Sequence, residues 1–226
     1  MDYTGDANVK GASQTYYVPF SASDYSYVTL GTSLSNSFGG QPVTLTATVG
    51  SGIPLHVATG TVTFFNGSTA IGGAKVPKSG TVILVTRKLA AGVNNLIATY
   101  SGDAILTTSS SSPIPVTVAD YVMQVLPASV KVEQGQSEKV TLDLIPQGGF
   151  ADPVQLSCSD LPTDVTCKFS QSTVTLGGVN PVTVSLTLKA SKAAEITTKP
   201  VSITITATSV TGTTPKTSPL HVTIKK

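Results

Sequence analysis

The chain has 226 residues, of which 12% are charged and 6% aromatic, with no Trp and a formal net charge of +2. Thr and Val number 34 and 27, and β-branched residues favour extended backbone over helix. This composition argues against an all-α protein, an α/β enzyme fold, a disordered chain and a nucleic-acid-binding surface.

The N-terminal segment, residues 1–22, carries two strand-like pieces at 8–10 and 15–20. It lacks the other strands of a sandwich, and unpaired strand edges are adhesive. We interpret the segment either as the C-terminal strands of a preceding module cut from a longer array, or as donor strands. Donor strands would complete a sheet in a neighbouring copy and build a fibre.

An internal repeat indicates how the chain is divided into modules. Tyr-Thr-Gly-Asp-Ala at 3–7 returns as Tyr-Ser-Gly-Asp-Ala at 100–104, an offset of 97 residues. This period is the size of one β-sandwich and exceeds that of solenoid repeats. We therefore predict one complete module at 23–119 and a second, divergent module at 120–226.

Period-2 alternation predicts the strands of the first module. Residues 43–49 place Val, Leu, Ala and Val on one face and Thr on the other. Residues 60–65 are followed by Asn66-Gly67, and Asn-Gly between apolar strands is typical of a type I′ hairpin turn with positive φ at both central residues. Further strands are predicted at 81–88, 95–100 and 114–118.

The second module continues with short strands separated by turn residues, and only 190–195 suits a helical turn. Its predicted strands are 121–126, 140–145, 154–159, 165–169, 182–188, 201–208 and 220–224. Many short strands without helices between them predict antiparallel sandwiches. The fold class is therefore all-β, two sandwiches in tandem, with a linker near Ala119-Asp120 that sets the angle between them.

Cys158 and Cys167 are the only cysteines, and both lie in strand-like sequence. So close a pair could be a disulfide, two buried thiols or half of a metal site. Structural zinc takes four ligands, and the only histidines, His56 and His221, are distant in sequence. We favour the disulfide, which indicates an oxidising compartment outside the cytoplasm.

Short motifs in the first module fall in a familiar order: Gly-Gln-Pro-Val-Thr-Leu-Thr-Ala-Thr at 40–48, Gly-Thr-Val-Thr-Phe at 60–64, Ile-Gly at 71–72, Leu-Ala-Ala-Gly at 89–92 and Ala-Thr-Tyr-Ser-Gly-Asp at 98–103. On these motifs the module resembles the bacterial Ig-like repeats found in tandem in large surface and secreted proteins. The resemblance implies an Ig-like fold, an extracellular or cell-surface setting, and a role as a stalk or adhesive module.

The second module is similar to a related Ig-like type. The similarity rests on Gly149-Phe150, the segment 154–158, Leu161-Pro162 and the segment 167–170. Neither resemblance implies a catalytic site, because a fold does not fix a function.

The turn at Tyr100, Gly102 and Asp103 has two interpretations. It could be a ligand or calcium loop that uses Asp103, with Asp6 in the earlier copy. Calcium takes several clustered oxygen ligands, and each copy offers a single Asp. We favour a tight strand-end turn, with Gly102 at positive φ, Asp103 holding backbone amides and Tyr100 anchored in the core.

The sequence contains no constellation that we interpret as catalytic, cofactor-binding or metal-binding. His56 has no nucleophile motif and no acid near it in sequence, so we interpret it as a loop or strand-end residue. His221 is expected to face outward on the last strand. The interleaved charges near Glu138 and Asp143 are interpreted as a solvated sheet edge.

We expect a non-enzymatic structural or adhesive module pair of an extracellular or cell-surface bacterial protein: a stalk, spacer or fibre segment. The alternative is a carbohydrate- or surface-binding accessory module of a secreted enzyme, with Tyr16, Tyr17, Tyr25 and Tyr27 as its aromatic platform. Expected partners are neighbouring Ig-like modules of the same or another copy, and a surface glycan or protein. Neither nucleic acid nor a membrane span is expected.

Overall fold

The computed structural model describes the backbone of residues 2–5 and 10–13, together with residues 25–53 and 56–226. Within these ranges the chain forms strands and turns, without a helix. Accordingly, no described helix is long and apolar enough to span a membrane. The predicted all-β class with antiparallel sheets is confirmed.

The strands are numbered in chain order. They are β1 (Asp2–Gly5), β2 (Lys10–Ser13), β3 (Ser26–Thr32), β4 (Asn36–Phe38), β5 (Val43–Ser51), β6 (Thr61–Asn66), β7 (Thr69–Lys75), β8 (Thr81–Thr86), β9 (Gly92–Tyr100), β10 (Ser109–Ser110), β11 (Ile114–Leu126), β12 (Ser129–Glu133), β13 (Ser137–Gln147), β14 (Pro153–Ser159), β15 (Val165–Phe169), β16 (Thr173–Thr175), β17 (Val182–Ala190), β18 (Val201–Ser209) and β19 (Lys216–Lys225).

The first sandwich packs a sheet in the order β3-β5-β8 against a sheet in the order β7-β6-β9-β11. β10 pairs with β9, and β4 pairs in parallel with β11. In β5, Val43, Leu45, Ala47 and Val49 face inward and are buried, while the threonines between them face outward. The alternation in the sequence is thus the inward and outward alternation of a two-layer fold.

The second sandwich packs the order β15-β17-β13-β11 against the order β12-β19-β18-β14-β16. β12 runs parallel to β19, the last strand of this sandwich. Leu142, Leu144, Leu186, Ile203 and Ile205 are fully buried between the sheets. Burying an aliphatic side chain of this size stabilises the fold by about 2 kcal/mol, so these inward positions supply much of the core's stability.

Strand β11 belongs to both sandwiches. Its residues 114–118 pair with β9, and its residues 120–126 pair with β13. The structure therefore replaces the predicted linker at Ala119-Asp120 with the middle of a 13-residue strand. The buried side of the strand shifts at these two residues, from Val118 before them to Tyr121 after them. Because the alternation of buried and exposed residues is interrupted there, the sequence resembles a linker although the strand continues.

Two glycine-containing segments differ from their predicted form. The hairpin at Asn66-Gly67 exists, but its two loop residues are Gly67 and Ser68, and only Gly67 has positive φ (58°). A positive φ at the first central position alone is the pattern of a type II′ turn, which also suits a twisted hairpin. Gly72-Gly73 lies inside β7 and not in a turn, next to a register shift opposite Phe64.

Two separate hydrophobic cores span 28–118 and 121–224. The division of the chain at 22 and 119 remains a prediction. In the N-terminal segment β1 and β2 form an antiparallel ladder, and the predicted strand at 15–20 lies outside the described residues. Charged residues Glu138 and Asp143 lie on β13, which is paired on both sides, and not at a sheet edge.

Candidate functional site

The turn after β9 gathers hydrogen-bond donors around one carboxylate. Asp103 Oδ1 accepts from the backbone N–H groups of Ile105 (2.9 Å) and Leu106 (2.8 Å). Its Oδ2 accepts from the Tyr100 hydroxyl (2.9 Å) and from the backbone N–H and hydroxyl of Thr59 (3.0 and 3.3 Å). The Asp103 side chain is only 7% exposed, so these donors replace water around it.

The electrostatics follow from that geometry. The Leu106 amide, with further amide and hydroxyl donors, holds the pKa of Asp103 far below its usual value. Burial raises the pKa of Tyr100, so its hydroxyl remains a donor. Gly102 completes the turn with φ at +77°, and a Cβ there would lie 2.7 Å from the Leu106 carbonyl oxygen.

These contacts bear on the two interpretations of the turn. Both carboxylate oxygens of Asp103 are occupied by N–H and O–H donors, which leaves little lone-pair capacity for a cation. No cluster of three or more His, Cys, Asp and Glu side chains occurs among the described residues. Asp6, the counterpart in the earlier copy, lies outside them. The arrangement can hold a loop in place, and it offers no free base.

His56 lies in a loop, and it has an acid near it in space that the sequence did not reveal. Its Nε2 lies 3.4 Å from Asp103 Oδ2, although 47 positions separate the residues. No nucleophilic side chain completes a triad with this pair in the contacts of the described residues, so the pair attaches the loop after β5 to the turn. His221 is exposed on β19.

The cysteine pair is a disulfide, as predicted. Cys158 lies on β14 and Cys167 on β15, and these strands belong to opposite sheets of the second sandwich. The Cα atoms are 6.5 Å apart. By the loop-entropy account, a closed loop this short contributes about 2–3 kcal/mol. The bridge ties the two layers together at one side.

Two of the four candidate interaction tyrosines lie in the described part of the chain. Tyr25 and Tyr27 are each 52% exposed, and the buried Ser26 between them puts both rings on the outer face. The Tyr27 ring lies across Gly50, where a Cβ would overlap it. Tyr16 and Tyr17 lie outside the described residues.

The junction between the sandwiches is a second site, which sequence reasoning missed. Phe38, from the first sandwich, packs against the core of the second. The Gly39 N–H donates to the Ala119 carbonyl (2.9 Å), and the Gly39 carbonyl accepts from the Thr214 N–H (3.2 Å). Backbone hydrogen bonds therefore join the loop after β4 to the loop before β19.

Glycines let the two sandwiches approach closely at this junction. A Cβ on Gly39 would overlap the Asp120 carboxylate, and one on Gly40 would overlap the Thr214 hydroxyl. A Cβ on Gly148 would overlap the Val118 carbonyl oxygen. The sequence signal was present as two Gly-Gly pairs, at 39–40 and 148–149, but each is indistinguishable from an ordinary turn.

An ion pair and an aromatic pair flank the junction. Lys216 Nζ lies 2.8 Å from Asp120 Oδ2 and 5.7 Å from the centre of the Tyr121 ring. The Tyr121 hydroxyl donates to the Ala207 carbonyl (2.7 Å), and its ring lies 5.0 Å from that of Phe150. Burial raises the pKa of Tyr121. Tyr121 thus connects the shared strand β11 to the core of the second sandwich.

Comparisons with known proteins agree with this fold. Residues 29–119 match the family model of the bacterial Ig-like domain (group 3), which confirms the resemblance of the first module. No curated protein matches the chain.

Solved structures extend the likeness over both sandwiches. Native E. coli alpha-2-macroglobulin aligns with a TM-score of 0.50 and 12% identity, over 88% of this chain and 17% of that chain. Methylamine-reacted Salmonella alpha-2-macroglobulin gives 0.49 and 9%, over 88% and 16%. The D0-D1 domain of intimin gives 0.35 and 14%, over 87% and 97%. At these identities the comparison concerns the fold alone, and this chain spans about a sixth of either alpha-2-macroglobulin chain.

Proposed function

We propose, with the Ig-like match of residues 29–119 as the premise, that this chain is a non-enzymatic spacer. It serves as a stalk or fibre segment of an extracellular or cell-surface bacterial protein. The Cys158–Cys167 disulfide supports an oxidising setting. Its work is geometric: it holds whatever adjoins it at a fixed distance and orientation.

The continuity of β11 carries this proposal. Thirteen residues at about 3.3 Å each form one strand of about 40 Å that enters both sandwiches. Domains joined by a flexible linker move relative to each other by default. Here the backbone between the domains is hydrogen-bonded on both sides of the crossing, so bending would break ladder hydrogen bonds.

The junction contacts add to the stiffness. Phe38 would lose its packing if the sandwiches separated, and the hydrogen bond between Gly39 and Thr214 would break. The close approach at Gly148 leaves little room for rotation about β11. These contacts involve separate loops on the two sandwiches, so a single hinge movement would break at least one of them.

Distance measurements between spin labels would test the stiffness. Labels are placed at the exposed turn positions by Ser68→Cys in the first sandwich and Gln171→Cys in the second. Labelling without reductant leaves the native disulfide closed. We expect a single narrow distance distribution by pulsed electron paramagnetic resonance.

The control separates interdomain motion from label motion. Pairs of labels within one sandwich set the width that the label itself produces. An interdomain distribution much broader than that width, or one with several maxima, would overturn the spacer proposal.

A carbohydrate-binding role is the second candidate, because Tyr25 and Tyr27 present two half-exposed rings on one face. Sugar rings stack on such exposed aromatics. A glycan array tests it: specific capture that is lost in Tyr25→Ala/Tyr27→Ala, and retained in the exposed-aliphatic control Val93→Ala, would favour this role. No capture above background would count against it.

A further inference from the structure

Strand β8 is a sheet edge with no protection against pairing. It pairs with β5 on one side, and no ladder covers its other side among the described residues. Its sequence, Thr-Val-Ile-Leu-Val-Thr, has no charge, Pro or Gly. Ile83 and Val85 face outward and are 62% and 59% exposed. Such segments are prone to add a further strand.

Most of the other described edges carry a charged residue or are only two or three residues long. β12 carries Lys131, β15 carries Lys168, and β7 carries Lys75 and has a register shift between Ala70 and Gly72. β4, β10 and β16 are only two or three residues long. β3 is covered at one end, where the Ser26 hydroxyl donates to the Thr107 carbonyl. β8 therefore differs from these edges, because it lacks the features that keep an exposed strand from pairing with another chain.

The space beside β8 suits an added strand. A groove of about 360 Å³ lies beside its C-terminal half and is lined by Ile71, Leu84, Val85, Thr86, Arg87 and Lys88. The half-buried Ile71 and Leu84 form an apolar floor. The Arg87 guanidinium already donates to the Gly40 carbonyl (3.1 Å), so it is held at the end of the groove.

We propose that β8 pairs antiparallel with β8 of a second copy of this chain, about a two-fold axis. The strand is uncharged and, apart from Leu84, β-branched, so it matches itself, and the pairing joins two three-stranded sheets into one of six strands. This proposal goes beyond the spacer role, since a spacer may be stiff whether or not it pairs.

Like-charge repulsion disfavours one of the registers open to this pair. With Leu84 opposite Leu84 of the second copy, Ile83 lies opposite Val85 on the outer face. Lys88 then lies opposite Gly80, and Lys78 lies opposite Ala90. With Ile83 on the axis, Lys78 and Lys88 would face each other, and directly opposed like charges destabilise a sheet. The Leu84 register avoids that repulsion.

A contact of one short strand from each copy lies at the weak end of protein interfaces. We therefore expect a dissociation constant for the dimer on the order of the upper micromolar to millimolar range. Neighbouring copies held at one surface would exceed that concentration locally.

Sedimentation equilibrium of the full chain tests the pairing. We expect concentration-dependent dimers, and we expect Val85→Lys to weaken dimerisation at least tenfold, because it places a charge opposite Ile83 of the second copy. The matched control is Val93→Lys. Val93 is 65% exposed but lies on β9, which is paired on both sides, so this change should leave the dimer intact.

Crosslinking tests the register. A mixture of Ile83→Cys and Val85→Cys chains should form the mixed disulfide in preference to either homodimer. A chain that stays monomeric at millimolar concentration, or equal effects of the two lysine variants, would overturn the proposal. So would a dimer that survives Val85→Lys and disappears when residues 1–22 are removed, since the N-terminal segment would then be the occupant.

Discussion

Asp103 and Asp120 are two part-buried carboxylates that the fold satisfies in different ways. Asp103 accepts hydrogen bonds from neutral donors, three of them within three residues along the chain. Asp120 pairs with the cation of Lys216, which lies 96 positions away on β19. The first arrangement closes a turn within one sandwich. The second ties the shared strand to β19 beside the junction, so its contribution is to orientation more than to local folding.

Removing the Asp103 carboxylate should have the largest effect. Asp103→Ala leaves the amides of Thr59, Ile105 and Leu106 without their acceptor, and we expect the first sandwich to lose about 3 kcal/mol or more. Amide hydrogen exchange, read separately for the two cores, measures this loss. Asp143→Ala is the control, because that partly exposed carboxylate accepts one hydroxyl hydrogen bond, and its effect should stay below about 1 kcal/mol. Equal losses would contradict the assigned role.

Acid should weaken the first sandwich through the same residue. Asp103 is the only acidic residue between positions 25 and 119. The pKa of Asp103 is lower in the folded chain than in the unfolded chain. Its contribution to the stability of the first sandwich is therefore complete above the unfolded pKa of about 4, and it is lost as the pH falls from there toward the folded pKa.

Hydrogen exchange in the 28–118 core between pH 6 and pH 2 measures the acid effect. Asp103→Asn is the control and should flatten the dependence. An Asp103→Asn chain that retains the wild-type acid response would show that another group is responsible.

A methyl group at the junction should have a smaller effect, of about 1–2 kcal/mol. Gly148 and Gly149 both have positive φ, but only a Cβ on Gly148 meets the first sandwich. We expect Gly148→Ala to broaden the distance distribution between the labels at 68 and 171, and Gly149→Ala to leave it narrow. Both variants place a Cβ on left-handed backbone. A difference between their distance distributions therefore reports the contact that Gly148 makes with the first sandwich.

The Asp120–Lys216 ion pair should matter least for stability. Its side chains are 18% and 27% exposed, so solvent screens the attraction, and we expect Lys216→Met to cost about 1 kcal/mol or less at low salt. Chemical denaturation at low and high ionic strength checks this, since salt should reduce the difference from wild type. A loss of several kcal/mol that persists in salt would mean that Lys216 acts mainly through its packing on Tyr121.

Local features of the sequence predicted individual strands well. The strand at 165–169 has the predicted residues, because its alternation and flanking turns lie within a few positions. The short strands β4, β10 and β16 were missed, since two or three residues carry no periodicity, and the longer strands β3 and β12 were missed as well. The junction was missed for a different reason. Nothing near Gly148 in the sequence shows that Val118 would lie against it, because that contact depends on how β11 continues through both sheets.

The parallel pairs have a mechanical consequence. β4 runs parallel to β11, the strand by which the chain leaves the first sandwich, and β12 runs parallel to β19, the last strand of the second. Tension that reaches β4 or β12 from the N-terminal side, and β11 or β19 from the C-terminal side, would slide each such pair lengthwise. Its hydrogen bonds would then share the load together instead of opening one after another, as they do when a hairpin is unzipped. A stretched array of these units would therefore resist tension at these two parallel pairs.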